Sequence, residues 1–157
     1  MNEYPVPQAN NIELLFELYC TFPDGGLTAL EVATAYGMAE RQGSYYLSAL
    51  AFLGLLRKEQ DAYVMTHKGE FVRSLMQHES LRVQKKIFCI SLFQLDLFVN
   101  VYSESMELYE TDTKLGNVAA ELNRRYQLST STAYRRAATL LAWCKWIEQV
   151  LGSECGQ

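Results

Sequence analysis

The chain has 157 residues, 49% of them hydrophobic and 20% charged, with only 3 Pro and 9 Gly. That suits one domain, or two very small ones, and excludes large multi-domain machinery, a disordered tail and a fibrous repeat. Fourteen Lys and Arg face 18 Asp and Glu, a formal charge of −4, so a polybasic coat that meets phosphate over its whole surface is excluded and any nucleic-acid site has to be a local patch.

Cys20, Cys89, Cys144 and Cys155 stand singly, with no Cys-x-x-Cys pair, which points to reduced thiols in a cytoplasmic protein rather than a zinc knuckle or a disulfide framework. The opening Met-Asn-Glu-Tyr-Pro has no basic segment leading into an apolar run, so no secretory signal is expected. The most apolar window, Ile87 to Tyr102, contains Gln94, Asp96 and Asn100 and is too short and too polar to span a bilayer.

In chain order, Asn10 and Asn11 precede an apolar-periodic segment (Ile12, Leu15, Phe16, Leu18, Tyr19), an N-capped helix ending before Pro23-Asp24-Gly25-Gly26. Thr28 is placed to cap a second helix, Ala29 to Tyr36, that stops at Gly37. A third begins at Ala39 or Glu40 and runs through Leu56, with Tyr46, Leu47, Leu50 and Leu53 on one face. Leu55 to Glu59 and Tyr63 to Thr66 are strand-like runs around Gln60-Asp61-Ala62, a predicted β-hairpin, and Lys68 to Gln77 is helical again.

Within Leu27 to Val72, the run Arg41-Gln-Gly-Ser-Tyr-Tyr-Leu-Ser-Ala-Leu-Ala-Phe-Leu-Gly-Leu-Leu followed by Tyr63-Val-Met-Thr-His-Lys-Gly resembles the winged-helix superfamily. In such domains a Leu-Gly-Leu-Leu run ends the third helix and enters the wing, and a Thr-x-x-Gly step opens the next helix. The resemblance implies a winged helix with a small β-hairpin wing over residues 1–80, whose role is DNA contact or protein docking, since winged helices serve both. The third helix would then expose Arg41, Ser44, Tyr45, Ser48 and Phe52, and the wing would offer Arg57 and Lys58. Residues 1–80 carry five bases against ten acids, and Tyr45 with Phe52 suits a protein contact equally well.

Leu81 to Tyr109 reads as one or two helices with a wide apolar face (Ile87, Phe88, Leu92, Phe93, Leu95, Phe98, Val101, Tyr102). It forms a helical bridge over 81–113, and its face serves as core or as a homodimer contact. Thr111-Asp112-Thr113 punctuates the chain. Asn117 to Tyr126 follows as a short helix and Gln127-Leu128-Ser129-Thr130 makes a turn. Ser129 or Ser131 then caps a long final helix reaching about Val150, so that 114–157 is a second helix-turn-helix. The fold class expected is mainly α.

Charge changes sign along this half. Asp96 to Asp112 holds five acids and no base, whereas from Lys114 to Lys145 six cations face only Glu121. Such a block is either a focused phosphate site or a solvated face balancing the acidic stretch before it.

Val118-Ala-Ala-Glu-Leu followed by Leu128-Ser-Thr-Ser-Thr-Ala-Tyr-Arg-Arg-Ala resembles the helix, turn, Ser/Thr-capped recognition helix of bacterial DNA-binding regulators. Arg135-Arg136-Ala-Ala-Thr-Leu-Leu-Ala-Trp-Cys-Lys-Trp-Ile is similar to paired helix-turn-helix segments accompanying bacterial restriction and other phage-defence systems. These resemblances imply a double-stranded-DNA-binding protein, either a transcriptional regulator or a DNA-recognition component of a defence system. They also imply a homodimer and a protein partner in a defence complex.

On the final helix, Ala133, Ala137, Leu140, Cys144 and Ile147 recur at spacings of four, three, four and three, a core stripe. The opposite face presents Ser131, Arg135, Ala138, Thr139 and Ala142, with Thr132 alongside. Small side chains let a helix backbone approach base edges, Arg can grip guanine O6 and N7, and a Thr or Ala methyl can meet a thymine methyl. Arg135 is otherwise an ordinary solvated arginine. Arg124 and Arg125 end the preceding helix, where cations suit the macrodipole and can also clamp phosphate. Arg136 lies toward the flank and suits phosphate better than base, and Trp143 and Trp146 read as packing residues.

No catalysis is expected, and no metal or cofactor. Metal-dependent cleavage needs clustered carboxylates near a Lys, and only Pro23-Asp24 and Asp112-Thr113-Lys114 offer fragments of that set. His67 and His78 lie in no nucleophile-elbow context, and Gly25-Gly26 lacks the Gly-Lys-Ser/Thr of a phosphate loop. The alternative to DNA binding is a winged-helix adaptor whose basic block docks an acidic protein.

Overall fold

The computed structural model describes residues 7–93, 96–107 and 111–152. Over them the protein is mainly helical with one small three-stranded antiparallel sheet. The chain divides into two compact units, Met1–Ser91 and Leu92–Gln157.

The first unit opens with α1 (Ile12–Cys20), where the Asn11 side chain accepts the Leu14 N–H at 3.2 Å and so satisfies one of the free donors of the first turn. β1 (Leu27–Thr28) leads directly into α2 (Ala29–Tyr36). Thr28 and Glu31 form a reciprocal capping box: the Thr28 hydroxyl accepts the Glu31 N–H at 3.2 Å and Glu31 Oε1 accepts the Thr28 N–H at 3.3 Å. α3 (Glu40–Phe52) ends four residues earlier than Leu56. The Gly54 and Leu55 N–H groups return to the Ala51 and Leu50 carbonyls at 2.9 and 3.0 Å, with Gly54 at φ 79, so the chain leaves the helix at the one residue that reaches this conformation without strain. Phe52, expected at the surface, is buried at 3% exposure because it lies on the core side of that last turn.

β2 (Leu56–Glu59) and β3 (Ala62–Met65) form the expected hairpin around Gln60-Asp61, with Arg57 opposite Val64 and Lys58 opposite Tyr63. The sheet order is β1-β3-β2. β1 is too short for any alternation to show in the sequence. α4 (His67–Met76) starts at Thr66, whose hydroxyl accepts the Gly69 N–H at 3.0 Å and donates to the Gly54 carbonyl at 2.6 Å. This is the physical content of the Thr-x-x-Gly step, since α4 passes so close to the entry of β2 that a Cβ on Gly69 would collide with the Leu55 carbonyl oxygen. α5 (Leu81–Leu92) closes the core over α1, with Phe88 edge-on to Phe16 at 5.5 Å between ring centroids.

The second unit contains α6 (Asp96–Glu107), α7 (Thr111–Tyr126) and α8 (Thr130–Gly152), with α8 packed on both α6 and α7. Thr111-Asp112-Thr113 is helical rather than a break: Thr and Asp favour first turns as much as loops, and here they open α7. Between α7 and α8, Gln127 takes φ 53, and Ser129 is the residue that caps, its hydroxyl accepting the Thr132 N–H at 3.3 Å. Val118, Ala119 and Leu122 meet the whole expected stripe Ala133, Ala137, Leu140, Cys144 and Ile147 in the buried set.

The 81–113 stretch is divided by the unit boundary, which falls at the last residue of α5, with α6 beyond it. Leu95, Tyr109 and Cys155, and the Phe98 side chain, lie outside the described residues. Among the described residues no helix is long and apolar enough to cross a membrane.

Candidate functional site

The cationic block is built at the junction of α7 and α8. Glu121 sits one turn before the end of α7, and its spacing of three and four residues from Arg124 and Arg125 puts all three side chains on one side of the helix. Arg124 donates from Nε to Glu121 Oε2 at 3.0 Å and from Nη2 to Oε1 at 2.6 Å, while Arg125 Nε donates to the same Oε1 at 2.6 Å. One carboxylate therefore holds two guanidinium groups. The Arg124 side chain is 70% exposed and that of Arg125 28%, so Arg124 faces water and Arg125 leans on the helix.

These bonds hold the Glu121 carboxyl below its ordinary range, the Arg124 contact contributing most and Arg125 next. Because the folded-state pKa is depressed, the stabilisation is complete above the pKa of an unfolded glutamate and disappears as pH falls through the folded-state value. The thermal midpoint of the wild type should therefore exceed that of Glu121→Gln at neutral pH, and the gap should close in acid. A gap that is constant with pH would mean that the charge of Glu121 contributes nothing.

α8 begins with a short hydroxyl chain. Ser129 Oγ donates to Thr132 Oγ1 at 2.9 Å, and Thr132 Oγ1 also accepts Arg135 Nη2 at 3.3 Å, which draws the guanidinium over the first turn. Ser131, Arg135 and Ala138 are exposed, whereas Thr132, Arg136 and Ala142 are half-buried.

Thr139 corrects the expected face. It is buried at 1% exposure, and its hydroxyl donates to the Arg135 carbonyl at 3.3 Å. The cause is a second buried seam, Thr139, Trp143 and Trp146, at the same spacing of four and three and adjacent to the alanine-leucine stripe. Two indoles make the buried side of α8 wider than one stripe. The strip left to solvent runs Ser131, Arg135, Ala138, Ala142 and Lys145, with exposed Tyr134 at its edge. Sequence reasoning misses Lys145 and Tyr134 as members of this surface. For Lys145 the available signal is its spacing from 138 and 142.

In the first unit, Arg41 is tied to its own helix, with Nε donating to the Tyr45 hydroxyl and its guanidinium carbon 5.5 Å from the Tyr45 ring centroid. Ser44, Tyr45 and Ser48 are half-buried. Arg57 pairs with Glu59 at 2.9 Å, and Lys58 Nζ lies 5.9 Å from the centroid of its cross-strand partner Tyr63. Arg41 and Lys58 are brought together on a cleft of about 590 Å³ between α2, α3 and the hairpin, but Glu40 and Asp61 line it too. Its charge is balanced.

The described residues thus define a mainly helical protein in which a small antiparallel sheet serves one unit and an arginine-rich helix pair the other. Residues 12–151 match the family described as a domain of unknown function, DUF7226, and the chain belongs to that family. No curated protein and no solved structure matches it.

Proposed function

We propose that the protein binds double-stranded DNA and catalyses no reaction. In this reading α7, the turn at 127–129 and α8 form a helix-turn-helix, and α8 enters the major groove. The first unit, in the order α1-β1-α2-α3-β2-β3, is a winged helix with the β2–β3 hairpin as its wing. The observation that carries the reading is the solvent-facing strip of α8, where small side chains at 131, 138 and 142 flank one long bidentate donor, Arg135. Arg124, Arg125, Arg135 and Arg136 against Glu121 supply a local excess of three positive charges for phosphate. Its biological role would be that of a transcriptional regulator or of the DNA-recognition component of a bacterial defence system, and a homodimer would present two α8 strips to successive major grooves.

Salt-dependent gel shift against a selected duplex and random duplexes tests this. Arg135→Ala should cost about 1–3 kcal/mol on the selected sequence and relax the preference for it. Arg124→Ala should weaken all sequences alike and lower the salt slope by roughly one. Absence of any retention at low salt sinks the proposal.

A second reading, a winged-helix adaptor that docks a protein and not DNA, is favoured by the balanced charge of the cleft holding Arg41, Lys58, Glu40 and Asp61. It predicts no gel shift at all, and pull-down of a protein partner that Arg41→Ala with Lys58→Ala abolishes.

A further inference from the structure

A groove of about 530 Å³ lies where the start of α7 faces the middle of α8. That volume is within the range of small-molecule sites. Its walls are apolar: Leu115 comes from α7, and Ala138, Leu141 and Ala142 come from α8. Two cations line it as well, Lys114 from α7 and Lys145 from α8. Glu148 lines it too, yet among the described residues neither lysine is within salt-bridge distance of a carboxylate.

We propose that this groove binds an amphiphilic organic monoanion, a medium-chain carboxylate, with its apolar body on Leu115 and Leu141 and its carboxylate between Lys114 and Lys145. A bare phosphate would leave the apolar walls in water, and a neutral hydrocarbon would make no use of the two ammonium groups. An amphipathic helix is about 10–12 Å across and needs a trough with two long walls, whereas this groove runs about three turns along α8, Ala138 to Glu148, but meets α7 only at Lys114 and Leu115. The alanines at 138 and 142 create the space. Ala138, Ala142 and Lys145 also belong to the strip that the proposed function lays against DNA, so a carboxylate here and a duplex on α8 would compete, and the groove is tested with no DNA present.

The test is a titration of the full chain with decanoate, following the methyl resonances of Leu115 and Leu141, with acetate and decyltrimethylammonium as controls and no DNA present. Decanoate should shift both residues saturably, well below its micellar range, and both controls should bind far more weakly. Lys114→Gln with Lys145→Gln should weaken decanoate roughly tenfold. Ala138→Phe, at an exposed position whose new ring fills the groove, should abolish binding. Circular dichroism melting establishes that both variants are folded, and if Ala138→Phe is not, the lysine variant alone decides. Shifts that never saturate, equal affinity in the lysine variant, or equal binding of decyltrimethylammonium overturns the proposal. So does a sedimenting dimer that Ala138→Phe converts to monomer, because the groove would then be covered by a second copy.

Discussion

Trp143→Ala should be the most destabilising single change in the second unit, at about 3–5 kcal/mol. Trp143 is fully buried on α8, on the helix that packs against both α6 and α7. Removing an indole there takes away its transfer free energy and leaves a cavity that helices fixed at both ends of the contact close only partly. Set against total stabilities of roughly 5–15 kcal/mol, the loss is a large share of what holds such a unit folded. Urea denaturation followed by the fluorescence of the remaining Trp146 measures it, and a midpoint within experimental scatter of the wild type would show that Trp143 is not a core residue.

Gly69→Ala should cost about 1–3 kcal/mol in the first unit, although it adds a single methyl group. That methyl would meet the Leu55 carbonyl oxygen and, at 2.6 Å, the Met65 sulfur. The carbonyl belongs to the backbone where the chain enters β2 and has no rotamer with which to yield, so α4 itself must move. The Tyr19 hydroxyl, which donates to the Gly69 carbonyl, would lose its acceptor in the same step. Gly25→Ala is the matched control, because a Cβ there meets no atom within 4 Å and the change should stay within about 0.5 kcal/mol. Equal midpoints for the two variants in thermal or urea melts would refute the close approach of α4 to β2.

The element boundaries that can be read from sequence are those set by a single side chain acting on nearby backbone. Asn11, Thr28, Thr66 and Ser129 each mark a helix start because a short oxygen-bearing side chain answers a free N–H three residues on. The hairpin is legible for a similar local reason. What escapes depends on distant partners. β1 exists because β3 lies beside Leu27 and Thr28, and nothing in two residues announces that pairing. Thr139 looks exposed as long as α8 is given one buried stripe, and only the packing of Trp143 and Trp146 against the other helices adds the second. Of the candidate interface, the strip through Ser131, Arg135, Ala138 and Ala142 follows from counting residues around a helix. The double grip of Glu121 is present in the spacing, but a carboxylate weighed only as one opposing charge conceals that it organises two arginines.

The paired seams on α8 have a mechanical consequence. A rod packed along one line of side chains can roll about its axis and exchange neighbours at small expense. With two adjoining lines buried, one of them carrying both indoles, a roll by a single residue would bring a tryptophan into water. The azimuth of Arg135 is therefore fixed by the buried seam beside it, with Thr139 one turn along the helix and Trp146 about three turns along.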